Sequence, residues 1–111
     1  MAERAEKVNE VIKEELSKII LKNLDFERGA MVTITRVETS SDLRYAKIML
    51  TVLPENEEKA VLDLLEKNAG DLQYELIKKL RMKPIPKIRF ELDKAQKIAE
   101  RMEELLKEGR K

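Results

Sequence analysis

The chain has no cysteine, no histidine and no tryptophan, and only three glycines and three prolines in 111 residues. Without cysteine there is no disulfide framework and no thiolate metal site. Without histidine the commonest general base and the usual transition-metal ligand are missing, so Ser17, Ser40 and Ser41 have nothing to activate them. Aromatic residues make up 4%, too few for an extended base-stacking surface, and Tyr45 and Tyr74 read as packing residues. No apolar run reaches the 18 or so residues of a membrane span. The amino terminus, MAERAEKVNEV, is charged and has no apolar core of a secretory signal, so a cytoplasmic protein is expected. Walker and dinucleotide glycine loops are absent. The glutamate pairs Glu14-Glu15, Glu57-Glu58 and Glu103-Glu104 read as solvated helix faces, and no acidic cluster converges from separate elements to make a magnesium nuclease. No catalytic residue, no metal and no cofactor is expected.

What is present is charge, at 41% of residues against a usual quarter. The total is nearly balanced at +1, but its distribution is not. Residues 54–75 carry seven acids and two bases, net −5, and residues 76–90 carry six bases and no acid. Those six are Lys78, Lys79, Arg81, Lys83, Lys87 and Arg89. A concentrated positive segment is a candidate site for an anionic partner.

Hydrophobic periodicity divides the chain into one domain, residues 1–111. Val8, Val11, Ile12, Leu16, Ile19, Ile20 and Leu24 fall at three- and four-residue steps, an amphipathic helix that Arg28-Gly29 closes. MVTITRV (31–37) and YAKIMLTVL (45–53) alternate and are rich in β-branched residues, with ETSSDL (38–43) as the turn of a hairpin. Residues 55–82 read as helix, broken near KNAGDLQ (67–73). The stripe Val61, Leu65, Ala69, Leu72, Leu76 and Leu80 keeps its phase across the break, which predicts a kink at Asn68, Ala69 and Gly70 with both halves on one core. Pro84 and Pro86 end that helix, KIRFEL (87–92) alternates as a third strand, and Asp93 with Gln96 resembles a capping box for a last helix. The order is helix, strand, strand, helix–kink–helix, strand, helix. This is an α+β fold of the type II K-homology (KH) kind, a three-stranded sheet with helices packed on one face.

Helix-end lysines complement the macrodipole and outward strand lysines aid solubility, which is the plain reading of the basic run. Against it, the run crosses a helix end, a proline turn and a strand, and a dipole needs only one or two charges. Arg36, Arg44 and Lys47 in or beside the hairpin are candidates to extend the patch. A KH domain ordinarily clamps nucleic-acid backbone with a Gly-x-x-Gly loop between its central helices. Here only Gly70 is present, reading as a glycine that permits the kink, and Asp71 beside it repels phosphate.

Two blocks carry a resemblance to a known family. VTITRVETSSDLRYAKIMLTVL (32–53) and GDLQYELIKKLRMKPIPKIRFELD (70–93), followed by AERMEELL (99–106), resemble the ribosome-binding factor A family of bacterial small-subunit assembly factors. The resemblance implies a KH-like fold whose Gly-x-x-Gly is replaced by a kink marked Ala-x-Gly. It also implies a non-catalytic protein, a monomer when free, that binds the small (30S) ribosomal subunit. It implies a role in late maturation of 16S ribosomal RNA and in cold adaptation, with release aided by an assembly GTPase. The kink here reads Asn68-Ala69-Gly70, with the alanine one position off the family pattern. The sequence stops at Lys111 without the long basic tail of some relatives, so the resemblance does not carry over a tail-dependent contact. The candidate RNA-binding residues are therefore Arg36, Arg44, Lys47, Lys78, Lys79, Arg81, Lys83, Lys87 and Arg89. A module binding a ribosomal protein or another assembly factor, without direct RNA readout, is the alternative.

Overall fold

The structure, a computed structural model, describes residues 2–26, 29–81 and 85–108, the first three of these through their backbone alone. Helix α1 spans Ala2–Asn23 and buries Val8, Ile12, Leu16, Ile19 and Ile20 of the expected stripe, while Val11, at its margin, is exposed and Leu24, just past the helix, is half-buried. It stops short of the expected Arg28-Gly29 because Asn23 turns its side-chain amide back onto the Ile19 carbonyl at 2.9 Å. Gly29 lies at φ +68°, in the left-handed region that favours glycine. Arg28 is outside the described residues.

Strands β1 (Met31–Thr39) and β2 (Tyr45–Leu53) pair antiparallel. Their turn is closed by Ser40, whose hydroxyl donates to Asp42 Oδ1 at 2.6 Å and accepts from the Tyr45 amide at 3.1 Å. Leu43 takes the left-handed position there, at φ 61°. Alternation in β2 is as predicted, with Ala46, Ile48, Leu50 and Val52 all inward. In β1 it is not: Ile34 and Val37 are both buried, three residues apart, because the register slips at Thr35. This β-bulge lets two residues oppose one and resets the side-chain phase. Without it Arg36, which shares parity with Ile34, would point into the core.

A 3₁₀ turn at Glu55–Glu57 leads into α2 (Glu58–Lys67), and α3 (Ala69–Lys79) follows after one residue. Val61, Leu65, Leu72, Leu76 and Leu80 are buried in one cluster, with Ala69 packed against it, so the phase is kept across the break. The break itself is Asn68, at φ −100° and ψ 6°, whose side-chain amide donates to the Leu64 carbonyl at 2.8 Å. Within the expected kink at Asn68, Ala69 and Gly70, the break falls on the first of the three. Ala69 and Gly70 already belong to α3. Gly70 has no positive φ, and a Cβ there would meet open space, so glycine is not what permits the kink.

Strand β3 (Lys87–Leu92) pairs parallel to β2, giving the sheet order β1-β2-β3. Gln73 of α3 splints this crossover: its amide donates to the Pro86 carbonyl and its oxygen accepts from the Ile88 amide, both at 2.9 Å. Helices α1, α2 and α3 cover the inner face of the sheet, over Ile34, Ile48, Leu50, Ile88 and Phe90. The last helix, α4 (Lys94–Glu108), buries none of its residues and leaves Ile98, Met102, Leu105 and Leu106 exposed. Its start is nevertheless fixed. Asp93 Oδ1 accepts from the Gln96 amide at 2.9 Å, the predicted cap, while the Asp93 amide itself donates to the Leu50 carbonyl at 2.7 Å. The cap is thus half of a capping box, the other half being taken over by the sheet. No helix among the described residues is long and apolar enough to cross a membrane.

Candidate RNA-binding surface

Inward Ala46, Ile48, Ile88 and Phe90 force their alternate neighbours onto the helix-free face of the sheet. The parallel register sets Tyr45 beside Lys87, and Lys47 beside Arg89. On the antiparallel side Glu38 sits beside Lys47, and Arg36 beside Met49. Arg36, Lys47, Lys87 and Arg89 therefore share one open face, and Arg44 continues it, its carbonyl accepting from the Lys87 amide at 2.8 Å. Lys78 and Lys79 lie instead on the last turn of α3, in the helical layer, and Arg81 lies just beyond Leu80. Lys83 falls outside the described residues. The predicted patch is therefore split between the two sides of the sheet.

Ion pairing divides it again. Arg36 is held between Glu38, at 3.2 Å, and the buried Asp93, at 3.4 Å. Lys47 reaches Glu91 at 3.8 Å, Arg44 reaches Asp42 at 3.9 Å, and Lys78 reaches Glu75 at 3.3 Å. Among the described residues Lys79, Arg81, Lys87 and Arg89 make no ion pair with a carboxylate, and all four are exposed. Of the candidate residues, those without a carboxylate partner among the described residues thus lie on the end of α3, just beyond it, and on β3.

Asp93 is the buried polar centre behind this face. The half-buried Thr35 hydroxyl, at the bulge, donates to its Oδ2 at 2.6 Å. That hydrogen bond first, then the Gln96 amide and the nearby Arg36, hold its carboxyl below the usual value, against the opposing effect of burial. Charged Asp93 in turn fixes Arg36 and the start of α4. Spacing in the sequence gives no sign of this contact, because Thr35 and Asp93 lie 58 residues apart.

Between the α2–α3 corner and the free edge of β3 runs an open groove lined by Glu66, Ala69, Ile88, Phe90, Lys47, Arg89 and Glu91. It lies where a KH domain carries its backbone clamp. Here it has an acid on each side, Glu66 and Glu91. Tyr45 and Tyr74, read above as packing, are both exposed, at 49% and 61%. Each has a cation over its ring: Arg89 at 5.8 Å from the Tyr45 centroid and Lys78 at 5.1 Å from that of Tyr74. Among the described residues no group of three or more acids is placed to hold a metal ion.

Known proteins match this chain over nearly all of it. The family profile described as ribosome-binding factor A matches residues 4–106. The ribosome-binding factor A of Coprothermobacter proteolyticus is 38% identical, over 95% of this chain and 77% of its own. That of Thermodesulfovibrio yellowstonii is 36% identical, over 97% and 92%. Among solved structures, ribosome-binding factor A from Thermus thermophilus superposes with a TM-score of 0.67 at 20% identity, covering 79% of this chain and 94% of that one. A Thermus thermophilus homology model of the same factor, fitted into a cryo-EM map of its complex with 30S, gives 0.64 at 23%, covering 76% and 89%. The fold is that of these structures, and by profile and by identity the chain belongs to the ribosome-binding factor A family.

Proposed function

We propose that this protein is an assembly factor that binds the small (30S) ribosomal subunit and assists late maturation of 16S ribosomal RNA, without catalysing a reaction. Family membership over residues 4–106 carries the reading, and a relative placed in a 30S complex supports it. The geometry supports an RNA contact through Lys79, Arg81, Lys87 and Arg89, which make no ion pair with a carboxylate among the described residues. Cations already paired within the protein have less to gain from a phosphate, so Arg36, Arg44, Lys47 and Lys78 contribute secondarily. The mechanism is binding: the occupied site holds immature RNA in one arrangement until release, which an assembly GTPase assists. The free protein is a cytoplasmic monomer, and its task matters most in the cold, where RNA misfolds persist.

Co-sedimentation with purified small and large subunits, at low and at physiological salt, tests this. Selective association with the small subunit that survives physiological salt is the expected result; equal, salt-labile binding to both would reduce the surface to a generic polyanion site. A second reading, a module that docks on a ribosomal protein or another factor, draws on the exposed apolar stripe of α4. Subunit binding with almost no salt dependence would favour it.

A further inference from the structure

Resting on that reading, we propose that Tyr45 is a stacking site for one unpaired RNA base, with Lys87 and Arg89 taking the phosphates on either side of it. Tyr45 stands at the start of β2 on the helix-free face, with half of its surface open to solvent. Its register partner across the sheet is Lys87, and Arg89, one outward position further along β3, lies over the ring. Neither cation has a carboxylate partner among the described residues. An aromatic ring half open to solvent, with one of these cations over it and the other beside it, fits a single-stranded nucleotide, whose base stacks on the ring while its phosphates find charge.

The surroundings favour Tyr45 over the other tyrosine. The acid closest in sequence, Asp42, is occupied by the Ser40 hydroxyl, the Arg44 amide and the Arg44 side chain. Glu38 faces Arg36, and Glu91 faces Lys47. At Tyr74 the cation over the ring, Lys78, is itself paired with Glu75, and Asp71 lies one turn back on the same helix. A phosphate approaching Tyr74 meets acids; one approaching Tyr45 meets cations.

The test is fluorescence anisotropy of a labelled ten-nucleotide single-stranded RNA and of an abasic oligomer of equal length, with the 30S co-sedimentation run alongside. Tyr45→Ala is expected to weaken RNA binding by about ten-fold or more, to leave abasic binding unchanged, and to melt like the wild type. Tyr45→Phe keeps the ring and is expected to bind within about two-fold of wild type. Equal affinity of Tyr45→Ala and wild type, or no preference of wild type for the base-bearing oligomer, would overturn the stacking site. A loss in Tyr45→Phe as large as in Tyr45→Ala would overturn it too, since the hydroxyl would then be the contact. If wild type still co-sediments with the small subunit, only this inference falls; if it does not, the assembly-factor reading falls with it.

Discussion

At the scale of single residues, the kink and the buried carboxylate make different demands. Gly70 sits in the first turn of α3 with ordinary backbone angles and open space where a Cβ would go. Replacing it with alanine removes a glycine's conformational entropy without a clash, so Gly70→Ala is expected to stabilise the protein by about 0.5–1 kcal/mol. A urea titration measures this; destabilisation would mean the glycine is required after all. Asp93 is the opposite case. Its carboxyl is held below the ordinary value of 3.8, so the folded state favours the charged form more than the unfolded chain does. That contribution is complete above the ordinary value and is lost as pH falls below it, through the lower folded value. Asp93→Ala is therefore expected to cost about 1–2 kcal/mol at neutral pH. Its stability should also depend less on pH than the wild type's over the acid range. Thermal melts between neutrality and pH 3 compare the two.

At the scale of elements, what the sequence makes legible is what repeats. The stripes of α1 and of the α2–α3 pair, and the alternation of β2 and β3, each recur over several residues, and each was placed on its buried side. The exceptions turn on single residues or on contacts far apart in sequence. MVTITRV reads as plain alternation, yet the bulge at Thr35 shifts its phase. No window of sequence shows this, because the partner that captures the Thr35 hydroxyl is Asp93. The kink was legible in position but not in cause, since Asn68 bends the chain and the glycine two residues on draws attention. The candidate surface was legible as a list of cations and not as a face: alternation assigns Lys87 and Arg89 to the outside, but ion pairing decides which charges are free. Helix α4 shows the limit of periodicity. Its apolar residues are spaced as a core helix would space them, and none is buried. Ion pairs from Lys97 to Glu58 at 3.0 Å and to Glu55 at 3.5 Å, and from Arg101 to Glu55 at 3.8 Å, are what tether it beyond its cap. Cutting the chain after Arg101 is accordingly expected to change the melting temperature by only a few degrees. Leu76→Ala in the core should cost about 2–5 kcal/mol. Calorimetry of both variants tests the contrast, and a collapse of the truncated chain would show α4 to be structural.

At the scale of the whole molecule, the proposed contact predicts how binding responds to salt. Each phosphate contact removed should reduce the slope of log affinity against log salt by about 0.7–0.9. Lys87→Gln and Arg89→Gln are expected to do so, while Lys78→Gln, whose charge Glu75 already offsets, should leave the slope nearly unchanged. Subunit binding measured across a salt series separates them; equal effects from all three would mean that internal pairing does not govern the contact.

The protein measures 53 × 35 × 17 Å, with a radius of gyration of 15.5 Å, against about 13 Å for a compact chain of this length. The thin dimension is one sheet plus one layer of helices. The excess length fits α4, which at 1.5 Å per residue adds a rod of about 22 Å. Such a body does not tumble as a sphere in water: rotation about its long axis outruns rotation of that axis. Backbone amides in α4 and in the sheet therefore relax at different rates according to their direction, and NMR relaxation follows the rod without any probe attached. Once the plate is seated on a particle as large as a ribosomal subunit, the domain's fast tumbling stops. Whatever part of α4 is left unclaimed keeps its own motion, and the amides that stay sharp mark where the contact ends.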